Sequence, residues 1–246
     1  MNNCAVFFGS KSAGYEQNAK IQCEIADETV KFCAQKVPEI KNGLWLDLGS
    51  GTGLARKKLV ENFGKINVIS LDISPLPFIR NENRVCGDFD FLPFLDNSFE
   101  NIISCSALQW SKNIKNAIQN SFDALNVGGK FVLAVFGDNT LEKLRLVQNK
   151  FGIKPLVSFY EQKFFEEIFL EVGFEIMATN KRTFSQKFDF AYDALKSISK
   201  IGAASHGGRT LYPKYVKVFV EEYEKMFDGG EIVHEYETFF YILEKR

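Results

Sequence analysis

The chain is predicted to fold as an α/β protein with a doubly wound, mostly parallel sheet. Three observations carry this. Short apolar runs at 44–48, 66–71, 84–86, 101–105 and 131–136 alternate with stretches of helical spacing, the order that builds parallel strands joined by right-handed crossovers. The runs at 44–48, 66–71 and 84–86 meet Gly or Asp at or just past their ends, which punctuate strands. The 246 residues are 46% hydrophobic and 25% charged, enough to bury a sizeable core.

The elements follow in order. Residues 16–37 have helical spacing through Ile21, Ile25, Val30 and Cys33, and Pro38 ends the run. The buried strand 44–48 leads through glycines into a helix at 53–63. The strand 66–71 is rich in β-branched residues. Ser74 is placed to cap a short helix whose first position is Pro75. Strands at 84–86 and 101–105, a helix at 113–125, punctuation at Gly128-Gly129 and a strand at 131–136 complete a core over 40–137. Beyond it, helical stretches at 139–151, 161–172, 190–201 and 213–227 are separated by strands near 174–181 and 232–243. The last begins with alternation and ends apolar, so it is expected to join the sheet as a late antiparallel strand. No repeat, low-complexity segment or Pro-rich linker divides the chain, and one domain spanning 1–246 is expected.

Composition excludes some classes. Thirty Lys and Arg against 31 Asp and Glu leave a net charge of −1, without the basic total of a nucleic-acid binder or the strong imbalance of a disordered chain. The 25 Phe are expected mainly in the core. Cys4, Cys23, Cys33, Cys86 and Cys105 are odd in number and never spaced as CxxC, which argues against a disulfide framework or a zinc site and for reduced thiols in a cytoplasm. No apolar run is long enough for a membrane helix, and the N-terminus lacks a basic, apolar leader. No metal is expected.

The strongest motif is Leu46-Asp47-Leu48-Gly49-Ser50-Gly51-Thr52-Gly53, a GxGxG loop between a strand and a helix. Glycine tolerates positive φ and lets backbone approach a ligand. The context places a nucleotide-like group at the carboxyl ends of the strands. Asp72 closes the next strand, where a carboxylate can accept from two ribose hydroxyls. Gly87-Asp88-Phe89 follows the third strand. Taken singly, Asp47, Asp72 and Asp88 are also good caps and turn formers.

In order and spacing these landmarks resemble the class I S-adenosylmethionine-dependent methyltransferases. The resemblance implies a Rossmann-like sheet of seven strands, the last antiparallel, with an inserted helical substrate region. It also implies S-adenosylmethionine as cofactor and S-adenosylhomocysteine as product. The cofactor residues it implies are Asp47, Gly49, Ser50, Gly51, Gly53, Asp72, Ile73, Asp88, Phe89 and Ser106, with Asp88 at the adenine amino group and Phe89 flanking the ring. Phe94–Ile103 resembles the family's lead into its fourth strand, with Glu100 where Asp is commoner. Leu125–Phe131 resembles the turn before its fifth.

Three further segments are similar to the malonyl-acyl-carrier-protein O-methyltransferases of biotin synthesis. They are Gly14–Gln22, with Tyr15 and Gln22; Ser106–Trp110, ending in Gln109-Trp110, with Cys105 where relatives often carry Asn; and Leu195–Ala203 followed by His206, Gly207 and Arg209. The ending, Tyr236–Leu243, is similar to that family's final strand. The resemblance implies that Tyr15, Gln22, Gln109, Trp110, His206 and Arg209 surround the acceptor, Tyr15 and Arg209 positioning it. It divides the domain into a helical lid (1–38), a cofactor core (40–137), a substrate and partner region with one sheet strand (138–231) and a terminal strand (232–246). Arg209, behind Gly207-Gly208, is the candidate for gripping a malonyl group through its planar fork.

A carboxylate is ionised at neutral pH and needs no general base, which fits a chain with two His and no evident acid–base dyad. The implied partner is an acidic acyl-carrier protein. Residues 181–217 hold eight cations against Asp189 and Asp193, a local charge of +6. Lys181, Arg182, Lys196, Lys200 and Lys214 are the candidate docking residues. Nucleic acid and membrane are not expected partners. Two alternatives stay open: a methyltransferase acting on a quinone precursor or another organic acid, and a cofactor-binding interaction protein without transferase activity.

Overall fold

The computed structural model describes residues 19–40, 43–74, 83–155, 157–200 and 213–246, with only the backbone described at 199, 200 and 213–215. Seven strands form one sheet in the order β3-β2-β1-β4-β5-β7-β6. They are β1 (Leu44–Leu48), β2 (Asn67–Asp72), β3 (Asn83–Cys86), β4 (Phe99–Cys105), β5 (Leu125–Phe136), β6 (Phe174–Phe188) and β7 (Ile232–Lys245). The first five are parallel, and β7 runs antiparallel between β5 and β6. The chain moves outward from β1 to β3 and returns on the other side of β1 as β4, so the order reverses between β1 and β4. In open parallel sheets a crevice for ligands lies at the carboxyl ends of the strands at that point.

Apolar residues on both faces of the central strands explain why helices cover both. Leu46, Leu48, Ile102, Phe131, Leu133 and Val135 pack with α3 (Ile114–Ala124) and α5 (Gln162–Val172). Trp45, Ile103, Val132 and Ala134 face α1 (Lys20–Lys36) and α2 (Leu54–Phe63). Ile21, Ile25, Val30 and Cys33 of α1 are buried there, so this helix is anchored in the core. A third cluster joins α4 (Glu142–Lys150), α6 (Ala191–Lys200) and α7 (Pro213–Lys225) to Ile232. The Phe residues are mostly core, including the fully buried Phe131, Phe165, Phe169 and Phe239, although Phe91 and Phe190 stand exposed.

Differences from the sequence reading are local. The strand expected near 174–181 runs on to Phe188, because every residue from Phe184 to Phe188 finds a partner on β7. Gly128-Gly129 lies inside β5, where the pairing jumps from Phe99↔Leu125 to Asn101↔Lys130. The intervening residues bulge out around Gly128 at φ +79°. The helix expected from Pro75, and residues 16–18 of the first helix, lie outside the described residues.

Candidate functional site

The cleft begins with backbone geometry. β1 ends at Leu48, and Gly49, Gly51 and Gly53 all take positive φ, which carries the chain over the sheet edge and into α2. At Gly49 there is a second requirement: a Cβ would lie 2.4 Å from that of Ala107, so the loop after β1 and the loop after β4 touch there. The N–H groups of Gly49 and Ser50 both donate to the Leu71 carbonyl, each at 2.9 Å. The β1 loop is thereby tied to the end of β2.

A cavity of about 420 Å³ opens here. Of the expected cofactor residues, Asp47, Gly49, Ser50, Gly51, Asp72, Ile73, Asp88, Phe89 and Ser106 border it, and Gly53 instead precedes α2 as its cap residue. Gln22, Gln109 and Trp110, expected at the acceptor, border the same cavity. Tyr15, His206 and Arg209 lie outside the described residues. The sequence reading did not single out the cavity's Val157, Ser158 and Tyr160. This wall comes from the segment after α4 and is placed by a bridge between Tyr160 and Gly137 and by a 4.0 Å ring stack of Tyr160 on Phe164. Nothing local in the sequence marks a contact made 23 residues past the bridge partner.

Asp72, at the end of β2, sits directly against the loop. Its Oδ2 accepts from Gly51 N–H and its Oδ1 from Ser74 N–H, both at 2.8 Å. Burial pushes its carboxyl above the usual range, against the pull of those N–H groups and of Arg84. Asp88 accepts from Asp90 N–H at 3.0 Å and so also caps the turn 89–91. The neighbouring Asp90, missed in the sequence, is 5% exposed. It accepts from Ser111 Oγ at 2.5 Å and Lys112 N–H at 3.0 Å, fixing the segment after β4 against the segment after β3.

Asp47 is 1% exposed, and its Oδ2 has no hydrogen-bond partner. Burial pushes its carboxyl up to about 7; the Asp72 charge adds to this, and Arg56 and Arg84 oppose it. Thr52 Oγ1, Ser106 Oγ and Gln109 Oε1 are also buried without partners, on residues that border the same cavity. Gln109 meanwhile donates to the Ser106 carbonyl at 2.6 Å, which leaves its oxygen as the open end. Burying unmatched acceptors costs about 1–3 kcal/mol each, so the four mark where a donor-bearing ligand belongs. S-adenosylmethionine, with its ammonium, adenine amino group and two ribose hydroxyls, carries donors of that kind. Cys105 borders the cavity too, but burial pushes its thiol up to about 12, which suits a structural thiol rather than a nucleophile.

The basic segment is less open than its charge suggests. Lys181 pairs with Glu237, Arg182 with Glu28 of α1 at 2.5 Å and Lys187 with Glu231 at 2.6 Å. Lys196 lies 5.9 Å from the Tyr192 ring centre. The side chains of Lys200 and Lys214 lie outside the described residues. Among the described residues, no helix is long and apolar enough to cross a membrane, and no group of three or more His, Cys, Asp or Glu is placed to hold a metal ion.

Comparison with known proteins finds methyltransferases. Residues 46–133 match a family described as a methyltransferase domain. The chain is 27% identical over 214 residues to the malonyl-[acyl-carrier protein] O-methyltransferase of Halorhodospira halophila, covering 80% of this chain and 70% of that protein. It is 23% identical over 241 residues to the protein of the same name from Bacillus cereus, covering 91% and 89%. Among solved structures, the YcgJ protein of Bacillus subtilis superposes with a TM-score of 0.63 at 14% identity, covering 89% of this chain and 98% of that one.

Proposed function

We propose that this chain, an S-adenosylmethionine-dependent methyltransferase of the class I fold, methylates the free carboxylate of malonyl-acyl-carrier protein to give the methyl ester that enters biotin synthesis. One observation carries the reading: Gln22, Gln109 and Trp110 border the same cavity as the glycine loop, Asp72 and Asp88. Relatives named for that reaction match along most of the chain, which supports the choice of acceptor.

The residues present suit a displacement that needs alignment more than proton transfer. When bound, the cofactor supplies an electrophilic methyl group on a cationic sulfur. Asp72, Asp88 and the glycine loop hold and orient it. A malonyl carboxylate is already ionised at neutral pH, so nothing has to remove a proton, and no His is among the described residues that border the cavity. The neutral amide of Gln22 can turn its N–H groups toward the acceptor carboxylate without quenching its charge as a tight ion pair would, while Gln109, its N–H spent on Ser106, offers its oxygen to a donor. Water exclusion and alignment of the reacting atoms then supply much of the rate, with effective molarities on the order of 10⁵ M attainable. Arg209 grips the malonyl group from the segment 201–212, and the region 138–231 receives the carrier protein.

Labelled S-adenosylmethionine offered with malonyl-carrier protein, malonyl-coenzyme A and quinone precursors tests this. Label on the malonyl carboxylate supports the reading, and label only on a quinone, or on none, rejects it. Arg209→Lys should lower catalytic efficiency toward the malonyl acceptor. Charge reversal at Lys196 and Lys200 should raise KM for the carrier-bound substrate and spare a small thioester; equal effects on both would remove the docking surface from the proposal.

A further inference from the structure

The cleft holds two carboxyls, Asp47 on β1 and Asp72 on β2, beneath a glycine loop of bare backbone. One cation touches the loop and acts electrostatically on both carboxyls. From β3, at the outer edge of the parallel strands, the half-buried Arg84 extends its guanidinium across β2. It donates to the Gly51 carbonyl and, at 3.4 Å, to Ser50 Oγ. Its charge also acts on Asp47 and on Asp72. The Gly51 peptide is therefore held at both ends: its N–H by Asp72 and its carbonyl by Arg84.

We propose that Arg84 is a positioning residue of the cofactor cleft, fixing the glycine loop in its ligand-receiving shape and keeping Asp72 charged for the ribose hydroxyls. A guanidinium suits both tasks, because its planar set of donors satisfies a carbonyl and a hydroxyl while its charge is never lost by deprotonation. The need for a cation is electrostatic. Two neighbouring carboxyls removed from water resist ionising together. A protonated Asp72 has fewer oxygen lone pairs to offer a hydroxyl and does not attract the cationic cofactor. The other charged or titratable groups acting on this pair are Arg56 from α2, which opposes the rise at Asp47, and Cys105 from β4, which is coupled to Asp47. Arg84 acts on both carboxyls in the same direction, holding them down.

The inference rests on S-adenosylmethionine as the cofactor and not on the choice of acceptor. Its test is the affinity for S-adenosylhomocysteine and S-adenosylmethionine, measured by calorimetry from about pH 5.5 to 8.5, a range that brackets the value of about 7 to which burial lifts Asp47. Arg84→Gln removes the charge and shortens the side chain by two bonds. It should weaken binding on the order of tenfold near neutral pH, with the loss shrinking as the pH rises and the carboxyl pair ionises without the guanidinium's help. Arg84→Lys keeps the charge; it should retain the wild-type pH profile while binding more weakly at every pH, having lost the fork. Affinity within twofold of wild type in both variants overturns the proposal. So does a loss in Arg84→Gln that is the same at every pH, because that would leave only a packing role. A methyl acceptor other than malonyl would sink the functional reading and leave these binding curves unaffected.

Discussion

Asp47 and Glu237 are two buried carboxyls in one sheet, and they are treated in opposite ways. Asp47 on β1 has an unmatched oxygen beside the cavity, and burial lifts it to about 7. Glu237 on β7 is 3% exposed, and burial pushes it upward too. The Lys181 ammonium and the Asn139 side chain and backbone N–H overcome that push and hold its carboxyl below the usual range. The β6–β7 ribbon satisfies Glu237 from within, while the crevice between β1 and β4 leaves Asp47 open. The treatment of these two carboxyls therefore separates the part of the sheet that receives a ligand from the part that frames it.

The sharpest way to break this contrast is at the crevice backbone. Gly49→Ala places a methyl 2.4 Å from the Ala107 Cβ at φ +72°. We expect cofactor affinity to fall at least about a hundredfold and stability by about 2–4 kcal/mol, read by calorimetry and thermal unfolding. Gly128→Ala, at φ +79° with nothing nearby, should cost only about 1 kcal/mol, the left-handed backbone penalty alone.

The two carboxyls should respond with opposite signs. Glu237→Gln strands the bond to Lys181 and should lower stability by about 1–3 kcal/mol at neutral pH. Asp47→Asn should raise the stability of the ligand-free protein by about 1–3 kcal/mol at pH 8 and weaken cofactor binding. The sign follows from linkage: a carboxyl raised from 3.8 to about 7 in the fold stabilises fully below the lower value and loses that contribution as pH rises through the upper one. The two proteins should converge near pH 4. Chemical denaturation at both pH values decides it, and a destabilised Asp47→Asn at pH 8 would contradict the contrast.

His234 sharpens it from the other side, as an unmatched polar group inside the ribbon. Both ring nitrogens lack partners, and the ring lies among Phe188, Tyr223 and Tyr236. Burial lowers it to about 4, so its contribution is present above pH 6.5 and disappears as pH falls toward 4. His234→Phe should flatten that acid slope in a pH series of unfolding curves. The smallest effect is expected at the exposed pair Lys187–Glu231, where Lys187→Ala should change stability by less than about 0.5 kcal/mol.

Much of the first region is legible in the sequence because its signals are local. Asp47 and Asp72 lie at the carboxyl ends of β1 and β2, Gly49, Gly51 and Asp88 follow strands within a few residues, and strand ends in a doubly wound sheet converge without further instruction. The turn roles of Asp72 and Asp88 were equally legible, and the structure shows both: Asp72 accepts from Ser74 N–H and Asp88 from Asp90 N–H. The helix read at 16–37 stands as Lys20–Lys36 among the described residues, and an antiparallel last strand was readable too.

Other features required the folded chain. The reach of Arg84 from β3 to Gly51, the return of Val157–Tyr160 to the cavity wall, and the pairing of Lys181 and Arg182 with Glu237 and Glu28 all join residues distant in sequence. Periodicity and motif spacing report which side of a strand or helix is buried. They carry no term for which charge will lie opposite another across a sheet. The +6 segment shows the difference: its composition was exact in the sequence, but much of its free charge was decided only when carboxylates from α1 and β7 came to lie against it.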